Sequence, residues 1–393
     1  MTLIFSTLVF LGAFLTIYVA YWLFLLIAHV VLPERVVRRH DPMTKIAIVI
    51  PAHNEELLLQ KLIESASSQD YPHELFSIIV VADNCTDNTV DVARQNGAIV
   101  LERADIENRG KGYAIKWALE TINMDQYNAV FIIDSDSVMS SKVLLHLDGM
   151  IQEGKRVIQC YNGIANPDDS WFTRLLDVSR TIGNEIYHPA KQKLGLSSYL
   201  MGNGMCFTND ILQKYGWDAF TVGEDWEHYA KLVQNGESVS FARDARVYHR
   251  ESASLKQATS QRMRWSSGRF AIAWRYGFRL LHTGLRERNI VKLDAALPLV
   301  FPNPSLGMNI TLVGLAASVA LPVYKSVLTA WFLILCVMQT GTFVLGIFHT
   351  RNKLSKFMSL FIAPIFLLWK MGIDALSALG MGRKKWVRTE RKL

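Results

Sequence analysis

Residues 2–31 form an almost uncharged apolar run. A bilayer needs roughly 20 apolar helical residues, and this run exceeds that. It lacks a basic start, and its apolar core is longer than that of a signal peptide. The run is therefore expected to stay as an anchor, residues 1–31, and every fold open to the chain must begin at a membrane. Two more apolar stretches, about 296–323 and 327–349, are expected to span. A further stretch, about 357–380, holds Lys370 and Asp374. A charge at mid-membrane costs roughly 3 kcal/mol on insertion scales, so this last segment reads as interfacial or re-entrant. Lys370 and Asp374 are four residues apart and can pair on a helix.

Cations fix the expected orientation. Arg35, Arg38 and Arg39 follow the first span, Arg351, Lys353 and Lys356 follow the third, and Arg383, Lys384, Lys385, Arg388, Arg391 and Lys392 fill the tail. The positive-inside rule places all three groups in the cytoplasm. The chain is thus expected to be an integral protein of the cell membrane. Its catalytic domain (residues 42–290) and basic tail (residues 381–393) would be cytoplasmic, with a C-terminal membrane region at 296–380. The net charge of +7 is assigned to juxtamembrane cations facing anionic lipid, not to nucleic-acid binding. Cys85, Cys160, Cys206 and Cys336 have no CxxC spacing, so neither zinc nor disulfides are inferred. Asn84-Cys85-Thr86 fits a glycosylation sequon that a cytoplasmic site would leave idle.

Between the apolar segments, short buried-type runs at 46–50, 76–81, 99–101 and 129–133 alternate with helical patterns. That alternation predicts an α/β domain with a parallel sheet. Ligands bind beyond the carboxyl ends of such strands. Asp83 and Asp134 stand at two of those ends. Asp134 and Asp136, one residue apart, can direct carboxylates at one hard cation, Mg²⁺ or Mn²⁺. His249 is a candidate third ligand. Arg109-Gly110-Lys111-Gly112 puts cations and a free backbone before a helix, as a diphosphate requires, although the spacing of a Walker loop is missing. Glu224-Asp225 opens a helix; an acid there is either a cap or a base. In Gln261-Arg262-Met263-Arg264-Trp265, helical spacing brings Gln261, Arg264 and Trp265 to neighbouring faces. An amphipathic interfacial helix anchored by Trp is the alternative.

In this order, these elements resemble the signature of membrane-bound family 2 glycosyltransferases, the group of cellulose, hyaluronan and chitin synthases and ceramide glucosyltransferase. The resemblance spans nearly the whole chain. It implies a GT-A, Rossmann-like catalytic domain and inverting, metal-dependent transfer from a UDP-sugar. By the same resemblance, Asp225 is the base, Asp134 and Asp136 hold the metal, and Pro51, Ala52, Glu55 and Asp83 hold uridine. Where the family often has two aspartates, Ala82 precedes Asp83. Lys111, Arg262 and Arg264 would face the diphosphate, Gln261 and Trp265 the reacting sugars, and Gly202, Asn203, Gly204 and Glu224 the acceptor. The acceptor would be a saccharide or a lipid. The sequence favours polysaccharide or exopolysaccharide synthesis, with an oligomer or export partner completing a channel. Transfer of one sugar to a membrane lipid is the alternative, and a dead transport or scaffold subunit the outside case.

Overall fold

The computed structural model describes residues 2–34, 40–321 and 324–381. The basic clusters Arg35, Arg38 and Arg39 and Arg383 to Lys392 lie outside the described residues, as does the tail.

The strands are β1 (Ile46–Ala52), β2 (Phe76–Asp83), β3 (Ile99–Arg103), β4 (Ala129–Ile132), β5 (Ser137–Met139), β6 (Val157–Ile164), β7 (Met205–Thr208) and β8 (Ser240–His249). They form one sheet in the order β3-β2-β1-β4-β7-β6-β8-β5. β1 to β4 are parallel, as the alternation predicts. β7 then runs antiparallel to β4 and to β6, so the sheet is mixed. The purely parallel expectation fails because β5 to β8 carry no regular alternation with helical patterns.

Helices cover both faces: α1 (Thr2–Val31), α2 (Leu59–Ser67), α3 (Thr89–Gln95), α4 (Lys111–Thr121), α5 (Val143–Gln152), α6 (Trp171–Ile182), α7 (His188–Lys193), α8 (Asn209–Tyr215), α9 (Glu224–Gln234), α10 (Leu255–Ile272), α11 (Phe278–Arg286), α12 (Ile290–Val300), α13 (Pro304–Val319), α14 (Lys325–Phe348), α15 (Lys353–Ser359) and α16 (Ala363–Ala378). In β1, Ile46, Ile48 and Ile50 enter one core layer while Ala47 and Val49 enter the other. Successive strand residues point to opposite faces, so a continuous apolar run marks a strand buried on both sides. Ala295, Ala296 and Leu299 of α12 join one of these layers. This core layer therefore runs past residue 290.

The apolar stretch 296–323, expected as one span, is broken. α12 and α13 meet at 65°. Pro302 and Pro304 flank Asn303, whose side chain caps α13 through the Leu306 N–H at 2.8 Å. Prolines without N–H groups cannot carry a helix across such a joint. α1, α13 and α14 pack together through Leu8, Leu15, Tyr18, Leu328, Phe332 and Leu335. The rings of Phe5 and Tyr324 meet at the end of that bundle away from the sheet. At its other end, Asp294 of α12 accepts from the Tyr21 hydroxyl at 2.7 Å and pairs with the fully buried Lys191 of α7 at 2.8 Å.

α15 and α16 touch the catalytic domain along their length. Lys356 pairs with Asp177, Trp369 Nε1 donates to Thr259 at 3.1 Å, and Ser377 Oγ donates to the Met263 carbonyl at 3.2 Å. The pairing of Lys370 with Asp374 anticipated from spacing is present. It reaches further than spacing shows: Ser266 of α10 donates to Asp374 at 2.8 Å, and Lys370 reaches the Ser266 hydroxyl at 3.0 Å.

Candidate active site

β1 and β2 pair in register with Pro51 opposite Val81 and Ala52 opposite Ala82. The segments that follow are thereby held side by side, and His53 Nδ1 lies 2.7 Å from the Asp83 carbonyl. The β2–β3 register sets Arg103 opposite Asp83. The two buried side chains pair at 2.7 Å through Oδ1, which also accepts from Asn84 at 2.8 Å. Arg103 was invisible to motif reading, because its role arises from strand register alone.

β4 delivers Asp134. Its N–H donates to the Asn203 side chain at 3.0 Å. Asn203 is buried and also donates to Ser137 at 3.0 Å. Asn203 and Gly204, expected beside the acceptor, thus stand behind the site and fix the Asp134 turn. Gly204 has φ +71°, and a Cβ there would come within 3.0 Å of Cys160. Gly202 does reach the site. It has φ +79°, and a Cβ would fall 3.2 Å from Asp225 Oδ2, so only glycine leaves that carboxylate accessible.

Lys111, the first residue of α4, bonds both Asp134 and the Gly202 carbonyl. Burial alone would push its ammonium down, but the Asp134 and Glu224 carboxylates outweigh it and hold it above its ordinary value. Glu224 and Asp225 open α9. Burial, then the neighbouring Glu224 charge, pushes Asp225 up to about 7. Burial raises Glu224 as well, opposed by Lys111.

Asp134 and Asp136 leave β4 one residue apart, and the β5–β8 register puts His249 opposite Ser137. Both ring nitrogens of His249 are engaged, by Asn162 at 2.9 Å and Glu251 at 3.2 Å. Among the described residues no cluster of three or more metal-ligating side chains forms. Two carboxylates fit Mg²⁺ or Mn²⁺ nonetheless, since such ions complete their shell with phosphate oxygens and water.

The Gln261–Trp265 motif lies on α10. Arg262 is committed: it donates to Glu251 at 2.6 Å and its guanidinium stacks 4.6 Å from the Trp265 ring. Burial would raise Glu251, but Arg262, His249 and Arg180 overcome it and hold the carboxyl well below its usual range. Gln261 Oε1 is buried without a hydrogen-bond partner among the described residues. α10 crosses the start of α9 where Gly268 meets Gly223. The small Ser266-Ser267-Gly268 run after the motif was the available signal for that crossing.

One cavity of about 880 Å³ takes in Pro51, Ala52, Glu55, Asp83, Lys111, Asp134, Asp136, Gly202, Glu224, Asp225, Gln261, Arg262, Arg264 and Trp265. It continues between the helices of the apolar bundle, past Tyr18, Trp22, Met308, Leu312 and Phe343, and under Phe366 and Leu367.

The mixed sheet flanked by helices is a GT-A-like glycosyltransferase fold. Residues 42–268 match the family described as "Glycosyltransferase like family 2", and the chain belongs to it. The sequence resembles YdaM, a probable glycosyltransferase of Bacillus subtilis, with 23% identity over 236 residues, 58% of this chain and 55% of the relative. It also resembles a beta-monoglucosyldiacylglycerol synthase of Nostoc sp., with 24% identity over 232 residues, 57% of this chain and 48% of the relative. The chain spans about half the length of these curated relatives. Among solved structures, the fold is similar to a mannosyltransferase from Pyrobaculum calidifontis solved with GDP-Man and Mn²⁺. That likeness has a TM-score of 0.59 and 18% identity, covering 95% of this chain and 99% of the other.

Proposed function

We propose that the protein transfers one hexosyl unit, with inversion, from a UDP-sugar to a hydroxyl of a membrane lipid at the cytoplasmic face. The observation that carries this reading is the single cavity joining the acidic and basic site to the space between apolar helices. A lipid reaches Asp225 through that space without leaving the membrane. Polymer synthesis, favoured on sequence, is the second reading, because the bundle of α1, α13 and α14 beside the cavity is small for a polymer channel. The Nostoc relative, a beta-monoglucosyldiacylglycerol synthase, belongs to the same reaction class.

The exposed apolar side chains Phe10, Ile17, Phe24, Val327, Leu333 and Val337 suit α1 and α14 to acyl chains. In this reading α1, α14 and the bent α12–α13 pair cross the membrane, while the segment Lys353–Ala378, although long and apolar enough to span, does not. α15 and α16 lie along its cytoplasmic surface, because both ends of that segment bond the catalytic domain.

The uridine lies along Pro51, Ala52 and Glu55 with Asp83 at its base edge. Asp134 and Asp136 hold the divalent cation; His249, with both ring nitrogens engaged by Asn162 and Glu251, is not counted among its ligands. When bound, that cation screens the diphosphate and stabilises UDP as a leaving group. Lys111 and Arg264 add positive charge beside the diphosphate. Trp265 walls the sugar, with Arg262 bracing its ring, and the unpartnered Gln261 oxygen accepts from a sugar hydroxyl. Asp225 takes the proton from the lipid hydroxyl as that oxygen attacks the anomeric carbon.

The test uses purified full-length protein in lipid nanodiscs with Mn²⁺ or Mg²⁺ and radiolabelled UDP-sugars. The reading expects label in an organic-extractable lipid carrying one sugar. A long, water-soluble labelled polymer overturns it.

A further inference from the structure

α6 contributes Leu175, Leu176, Ser179, Arg180 and Ile182 to the cavity wall. It packs against α14 and α15, so this wall stands where the catalytic domain meets the bundle. Leu175, Leu176 and Ile182 suit an acyl chain. Arg180 does not.

The cations around Arg180 are engaged. Arg262 pairs with Glu251 at 2.6 Å. Arg269 donates to the carbonyls of Pro298 at 2.9 Å and Phe301 at 2.7 Å. Lys370 pairs with Asp374. Among the described residues, Arg180 has neither a carboxylate within ion-pair reach nor a hydrogen-bond acceptor. Burial lowers the pKa of its guanidinium, opposed by the Glu251 and Asp225 charges at longer range. Arg180 is partly exposed and lines the cavity, so it offers that cavity an unpaired cation. Its planar fork matches a phosphate or carboxylate. Asp225 and Arg180 line the same cavity, with the apolar wall beginning at Arg180.

We propose that Arg180 binds the phosphate of the acceptor, so that the acceptor is an anionic phospholipid with a free headgroup hydroxyl, not a neutral lipid. This rests on the lipid-acceptor reading above and narrows it. The phosphate docks at Arg180, the acyl chains follow Leu175, Leu176 and Ile182, and the headgroup hydroxyl turns toward Asp225. The hydroxyl oxygen then bonds to the anomeric carbon. The bond from that carbon to the β-phosphate oxygen breaks, its electron pair leaves with UDP, and the hydroxyl proton passes to Asp225. The phospholipid phosphate is unchanged by the reaction.

The experiment compares phosphatidylglycerol with diacylglycerol, each diluted into phosphatidylcholine nanodiscs holding the full-length protein, with labelled UDP-sugars. It is run on the wild type, Arg180→Gln and Arg180→Lys. UDP affinity and melting temperature are measured on each protein without acceptor. The proposal expects phosphatidylglycerol to be the better acceptor. It expects Arg180→Gln to raise the KM for it by roughly tenfold or more, as loss of a charge-assisted bond implies. Arg180→Lys should recover part of the loss, and UDP affinity should hold in both variants.

Equal use of both lipids by the wild type overturns the proposal. So does an equal KM rise for both lipids in Arg180→Gln, or a loss of UDP affinity in a variant that still melts like the wild type, which would assign Arg180 to the donor. Inorganic phosphate that fails to compete with phosphatidylglycerol supports a lipid-presented phosphate; competition at equal concentration overturns it. A wild type that labels polymer and no lipid removes the lipid reading itself, and this proposal with it.

Discussion

Gly223 and Gly268 meet backbone to backbone, and a Cβ on Gly268 would sit 3.1 Å from the Gly223 nitrogen. The crossing brings the Gln261–Trp265 helix down onto Asp225. A Cβ on Gly223 would meet Gly268 at 3.6 Å, an ordinary contact. Gly268→Val is expected to cut kcat/KM at least tenfold, since displacements near 1 Å cost up to roughly 100-fold. Gly223→Ala should cost far less. Steady-state kinetics on the two variants, with UDP affinity as a control, separates them. Equal losses would mean that the crossing does not set the site.

Asp225 works as a base only when ionised, and it is pushed up to about 7. Transfer should therefore rise with pH through about 7 and level off above. The Lys111 charge lowers the Asp225 value. Lys111→Met should accordingly move the midpoint to higher pH, whatever it does to the maximum. Asp225→Asn should abolish transfer while UDP still binds. A pH–rate profile with no acid limb between pH 5 and 8 would count against this assignment.

Chelation should remove both transfer and tight UDP binding, and Mn²⁺ or Mg²⁺ should restore both. Asp136→Ala is expected to weaken metal-dependent UDP binding, while its binding without metal changes little. Calorimetric UDP titrations with and without the cation read this directly. Identical titration curves for wild type and variant would remove Asp136 from the cation site.

The Lys370–Asp374 pair on Ser266 joins α16 to the residue after Trp265. Lys370→Met leaves the buried Asp374 carboxylate without its cation, with only the Ser266 hydroxyl, which costs roughly 3–5 kcal/mol. The double change Lys370→Met with Asp374→Leu should recover most of that stability. If the clip also aims Trp265, the double variant keeps its melting temperature but loses turnover. Full turnover in the double variant would confine the clip to stability.

The positions proposed for the donor half were legible because they depend on strand ends. Asp83, Asp134 and the residues after Ile50 fall where short, fully buried apolar runs stop, and Ile46–Ile50 and Ala129–Ile132 are such runs. Lys111 was legible as a cation at a helix start. Arg103, Asn203 and Glu251 were not, because each acts through a neighbour brought near by strand register or loop return. Asn203 even looked like an acceptor contact, since its flanking glycines are what a ligand loop and a tight turn both need. The 296–323 stretch misled for a related reason. Hydropathy averages over Pro302 and Pro304, while the backbone breaks there.

The continuous cavity also has a kinetic meaning. On the proposed reading, one substrate arrives from a volume and the other from an area. Donor supply is counted per litre, acceptor supply per unit of leaflet. Adding inert lipid thins the acceptor around the enzyme while every bulk concentration stays fixed. Turnover in a cell then follows the make-up of the surrounding leaflet as closely as the nucleotide-sugar pool, and the protein reports on its membrane by the rate at which it modifies it.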